Sequence, residues 1–198
     1  VGAMVGLTVH LPIYYLGVYQ LSASEAGLAL IPLVAVSVLG AATAGRTMAT
    51  VKRYKRVAIA GTGMAVLTGL VMMLATPLPL WALLSVLSVF AFGLGTTFPV
   101  SVVSIQNAVA KPQVGTVTGA MNFFRALMAS FAVAAMTTIL LIALGTELSG
   151  GVEQADAFHN VAAGDMVAAF RYVFAGAVAL VSVSFLCMVL MEERTLAG

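Results

Sequence analysis

Apolar residues fill this chain in long runs that charged residues interrupt at only a few points. Asp, Glu, Lys and Arg are absent from 1–24, 26–45, 57–110, 112–124, 126–146 and 172–191. At 1.5 Å per residue, about 20 helical residues cross a hydrocarbon core of roughly 30 Å. The run 57–110 is too long for one crossing, and Thr76-Pro77-Leu78-Pro79 divides it. The pattern predicts six transmembrane helices, over about 2–20, 25–45, 57–76, 79–107, 114–145 and 166–191. Ser22-Ala23-Ser24-Glu25 supplies a cap for the second. The expected fold class is all-α integral membrane, a six-transmembrane-helix bundle with 1–198 as one domain.

Composition agrees with that pattern. The chain is 62% hydrophobic and 8% charged, with a mean hydropathy of +1.10, which excludes an ordinary soluble domain. Cys187 has no second cysteine to pair with, so a disulfide framework or cysteine metal site within the chain is excluded. The sequence starts at Val1 and is apolar at once, without the basic region of a signal peptide; it reads as a cut through a longer protein or a trimmed chain.

Charge placement predicts orientation. Arg46, Lys52, Arg53, Lys55 and Arg56 crowd the connection after the second span, and Lys111 and Arg194 fall on the same side by helix count. The opposite connections carry Glu25, Glu147, Glu153, Asp156 and Asp165. The excess of basic residues assigns the first side to the cytoplasm of an inner membrane, with both chain ends there. Gly2/Gly6, Gly115/Gly119 and Ala41/Gly45 have the small-xxx-small spacing that lets helices approach closely in lipid.

Several polar residues fall where a bilayer penalises them. Ten residues beyond Gly115, Arg125 lies about 15 Å deep, where an arginine costs roughly 2.5–3.5 kcal/mol and should face protein or water. Gly115, Thr118, Asn122, Arg125 and Ala129 share one stripe. Either Arg125 and Asn122 line a central cavity, or Arg125 meets helix-end carbonyls or snorkels to the surface. His10 and Tyr14, one turn apart, either bind a ligand or proton or belong to an interfacial belt. The fourth span combines Gly93, Gly95, Pro99, Gln106 and Asn107, the pattern of a bent helix with freed backbone groups. No Asp or Glu lies deep in a span, and no catalytic, metal-binding or nucleic-acid motif is present. Neither an enzyme nor a cofactor is expected.

Three segments carry a family resemblance. Ser104-Ile105-Gln106-Asn107-Ala108-Val109, followed by Gly115-Thr116-Val117-Thr118-Gly119-Ala120-Met121-Asn122-Phe123-Phe124-Arg125, resembles consecutive helices of the 14-helix drug:proton antiporter branch of the major facilitator superfamily. Gly45-Arg46-Thr47-Met48-Ala49 with Arg53-Tyr54-Lys55-Arg56 is similar to that branch's basic cytoplasmic loop. Leu11-Pro12-Ile13-Tyr14 and Glu25 to Pro32 resemble its first two C-terminal helices. The likeness covers about residues 10–140; Lys52 stands where the loop usually has Gly, and Met128-Ala129 where the family has Gly-Gly.

The resemblance implies one half of a major facilitator fold, the C-terminal half, in which the first, second, fourth and fifth spans face a midplane site. Substrate-cavity candidates are then His10, Tyr14, Gln106, Asn107, Asn122 and Arg125, with Gly45, Arg46, Lys52, Arg53, Lys55 and Arg56 as a gating loop. The implied activity is proton-coupled export of amphipathic small molecules or drugs. Its partners are the lipid bilayer, a small-molecule substrate, protons and an N-terminal transporter half. Two alternatives stay open: a half-size transporter working as a homodimer, and a non-transporting membrane module that meets partners through 146–165.

Overall fold

The computed structural model of the chain describes residues 1–50, 54–145 and 162–190, with backbone alone at 49, 50 and 54. The elements in order are α1 (Gly2–Tyr19), α2 (Ala23–Leu28), α3 (Ile31–Thr50), α4 (Tyr54–Ala75), α5 (Leu80–Asn107), a 3-10 turn (Lys111–Gln113), α6 (Val114–Ala143) and α7 (Ala163–Leu190). With α2 and α3 taken together, six helical stretches are long and apolar enough to cross a membrane. An α-helix satisfies its own backbone hydrogen bonds, which lipid cannot do for it.

The second span departs from expectation by breaking into α2 and α3. Pro32 has no N–H for the carbonyl of Leu28, and its ring crowds that carbonyl, so the chain turns at Ala29-Leu30. The start of α2 follows the predicted cap. The Ser22 hydroxyl accepts from the Glu25 N–H, while the Glu25 carboxylate accepts from the Ser22 N–H at 2.8 Å and its hydroxyl at 2.7 Å.

The helix packing repeats itself. α1 lies against α6 and α7, α5 lies against α3 and α4, and α4 lies against α7. Exchanging the first three spans for the last three maps α1/α6 onto α5/α3 and α1/α7 onto α5/α4, and leaves α4/α7 in place. The Tyr19 hydroxyl at the end of α1 donates to the Leu78 carbonyl just before α5, so these two central helices run in opposite directions. The bundle is therefore a pair of inverted three-helix units. Each central helix contains an internal proline, Pro12 in α1 and Pro99 in α5.

Close approach is concentrated where glycine permits it. A Cβ on Gly95 would strike the Ser37 carbonyl of α3, and one on Gly93 would strike the Gly61 carbonyl of α4. On the other side of the bundle a Cβ on Gly2 would lie 2.9 Å from the Ala132 methyl, and one on Gly6 would meet Met136. The Gly2/Gly6 pair thus does join helices. Gly115, Gly119 and Gly45 do not, since a Cβ at any of them meets nothing within 4 Å. Spacing marked these positions equally; only the neighbouring helix separates them.

The core runs through α1, α5 and α7, with Leu7, Leu11, Tyr14, Leu83, Leu87, Phe90, Phe170 and Phe174 fully buried. It is densest at the end that bears Glu25 and Asp165. There the Tyr14 ring centroid lies 4.7 Å from that of Phe170 and 5.7 Å from that of Tyr19. Arg171 closes this end by donating through Nε at 3.0 Å, and through a terminal nitrogen, to the Thr76 carbonyl. Thr76 is the first residue after α4, just before Pro77, so the guanidinium caps a helix C-terminus.

Candidate functional site

At the basic end the packing is looser. α6 contains no buried residue between Val114 and Phe131, and its first buried side chain is Ala132. Between α1, α3, α5, α6 and α7 lies an open cavity of about 900 Å³, in the range of small-molecule sites. Its walls are mostly apolar, with Val38, Leu94, Phe124, Met128 and Phe131 among the lining residues. Ser37, Thr97, Ser101, Ser184 and Arg125 bring polar groups to it.

Arg125 lies eleven residues into α6, about 16 Å along the helix. Phe98 lies nine residues before the end of α5, about 14 Å in from the same end. The two meet at mid-depth, with the guanidinium carbon 4.1 Å from the Phe98 ring centroid. This is cation–π contact, and it covers one face of the cation. Arg125 also donates to Asn122 Oδ1 at 3.2 Å and approaches Met121 Sδ at 3.8 Å. Among the described residues these bonds join Arg125 to no carboxylate. Thr97, next to Phe98, has a buried hydroxyl without a hydrogen-bond partner among the described residues.

The other expected residues divide by place. Asn122 is exposed and joins the site through Arg125. Gln106 donates to the Thr118 hydroxyl at 3.3 Å and ties the end of α5 to the start of α6. Asn107 is exposed as the last residue of α5. His10 and Tyr14 are buried in the packing of α1 and are not part of this cavity's lining. His10 Nδ1 lies 2.7 Å from the Gly6 carbonyl, which can only accept, so Nδ1 carries a hydrogen. Its Nε2 lies 3.0 Å from the Thr137 hydroxyl of α6, which places the imidazole as a bridge across the α1/α6 joint.

Of the basic loop, Lys52 and Arg53 lie outside the described residues, as does the segment 147–159 and Arg194. Gly45, Arg46 and Arg56 are exposed. Lys55 reaches across to donate to the Val189 carbonyl at 2.8 Å, near the end of α7. Among the described residues there is no cluster of three His, Cys, Asp or Glu side chains able to hold a metal.

Sequence reading did not single out Phe98 or Arg171. Phe98 is one of ten phenylalanines, and what marks it is a cation contributed by another helix. Arg171 had a visible signal, a charge inside a predicted span, but its partner is the Thr76 backbone 95 residues away.

Six apolar helices long enough to cross a bilayer, five of them lining an open cavity of ligand size, define a multi-pass membrane protein. The family model of the Major Facilitator Superfamily matches residues 1–133, more than half of the chain, and the chain belongs to that superfamily. It is of transporter type rather than an enzyme. Two curated relatives are similar to it. A tetracycline resistance determinant of Streptomyces rimosus is 26% identical over 144 residues, which are 71% of this chain and 41% of the relative. The multidrug transporter protein MdtP of Bacillus subtilis is 24% identical over 140 residues, 69% of this chain and 25% of the relative. The chain thus spans less than half the length of the relatives it matches.

Proposed function

We propose that this chain is the C-terminal six-helix half of a proton-coupled exporter of the 14-helix branch, moving amphipathic small molecules or drugs by alternating access. The observation that carries the reading is the mid-depth cavity with Arg125 in its wall. A half-buried cation at mid-depth, without an acidic partner among the described residues, has no place in a mere anchor and costs several kcal/mol unless a site uses it. The relatives' resistance and multidrug roles support the substrate class. The uncovered face of α6 from Val114 to Phe131 is where the N-terminal half packs. The basic residues Arg46, Lys55, Arg56 and Lys111 put that end in the cytoplasm, with both ends of the chain.

The test uses the full-length transporter in vesicles, with N-phenyl-1-naphthylamine as an uncharged amphipathic probe and an imposed proton gradient. Uptake against the probe's gradient is expected, and Ala135→Trp, which fills the cavity wall, should lower it at least tenfold at equal protein content. Uptake indifferent to both the proton gradient and the tryptophan would reject the reading.

A further inference from the structure

The polar groups of the cavity are one-sided in their chemistry. Arg125 has five N–H donors, and its described bonds occupy two of them, one on an amide oxygen and one on a weakly accepting sulfur. Phe98 covers a face of the guanidinium and leaves its N–H edge to be met in plane. The Asn122 oxygen is already taken by Arg125. What the pocket lacks is a negatively charged acceptor for the guanidinium, since no Asp or Glu is among the described residues that line it. What surrounds it is apolar: Leu94, Phe124, Met128 and Phe131.

We propose that the cavity binds amphipathic anions, with the acidic head group on the edge of Arg125 and the apolar body along Phe124, Met128 and Phe131. The inference rests on the transporter reading above and names the substrate class of that site. A planar carboxylate, a sulfonate or a phosphate meets a guanidinium edge with paired charge-assisted hydrogen bonds. A cationic amphipath brings its charge against an unneutralised guanidinium in a cavity walled mostly by apolar groups, where repulsion is weakly screened. Two sources carry the required anion, a soluble amphipathic acid and the head group of an anionic lipid.

The experiment measures saturable binding of two probes with one aromatic body, 1-anilinonaphthalene-8-sulfonate and uncharged N-phenyl-1-naphthylamine. The full-length transporter is held in phosphatidylcholine vesicles, and empty vesicles are subtracted. The sulfonate should bind at least about tenfold tighter, the worth of a charge-assisted pair. Arg125→Gln should bring the ratio of affinities close to one, and Arg125→Lys should keep part of it. The ratio is read because a general loss of folded protein cancels from it. Adding phosphatidylglycerol separates the sources: loss of the sulfonate preference assigns the site to a lipid head group, and its retention to a soluble acid. Equal affinities in the unaltered protein, or a preference that survives Arg125→Gln, overturn the anion site while saturable binding of the neutral probe leaves the transporter reading in place. Absence of saturable binding by either probe overturns both.

Discussion

The two ends of this bundle are built on different principles. At the end that carries Glu25 and Asp165, rings interlock, a capping box starts α2, and Arg171 has its donors placed on the Thr76 carbonyl. Large side chains such as Tyr14, Phe170 and Phe174 are removed from the surface there, and the packing is close enough to leave the buried Tyr14 and Tyr15 hydroxyls without a hydrogen-bond partner among the described residues. At the basic end, α6 is uncovered over five turns, an arginine has no acidic partner among the described residues, and a threonine hydroxyl is left without any. A closed end holds a fold together by packing; at the open end a cavity and a cation without an acidic partner among the described residues are what a guest can reach.

The contrast is broken most sharply by truncating rings at each end. Tyr14→Ala should cost about 3 kcal/mol of stability, the lower edge for a buried aromatic, because in lipid the loss is packing rather than transfer from water. Phe98→Ala, at a residue 47% exposed, should cost about 1 kcal/mol or less. Thermal unfolding in detergent reads both, and equal costs would mean that the ends do not differ. Arg171→Leu leaves the Thr76 carbonyl without its charged donor and should cost about 2 kcal/mol in the same assay. A melting temperature unchanged from the unaltered protein would remove Arg171 from the closure of its end.

The smallest effect concerns the cap of α2. Ser22→Ala removes the hydroxyl that accepts from the Glu25 N–H and should cost about 0.5–1 kcal/mol in the same assay. An unchanged melting temperature would show that the exposed cap contributes nothing measurable.

The spans were legible because a bilayer reads composition and length, and charges at Glu25, Lys55 and Lys111 fall at or near helix ends for that reason. The break before Ile31 was also written in the chain, since Pro32 removes a specific hydrogen bond. Arg125 was legible as an expensive residue at mid-depth. Its stack on Phe98 was not, because α5 and α6 share no pattern that fixes their relative rotation. The same limit separates His10 from the cavity: helical spacing places His10 and Tyr14 on one stripe but does not say that the stripe turns toward Thr137 and Phe170. Glycine spacing identified Gly2 and Gly6 and equally identified Gly115 and Gly119, whose neighbours decide whether close approach occurs.

The inverted pairing of α1/α6 with α5/α3 has a mechanical consequence. The axis relating the two units carries one membrane face into the other. A hinge movement that parts one joint toward the inside therefore has a twin that parts the other joint toward the outside, made from corresponding helices and each with a proline inside its central helix. The twins do not grip equally: α5 holds α3 more extensively than α1 holds α6, so the α1/α6 joint is the weaker hinge of the pair.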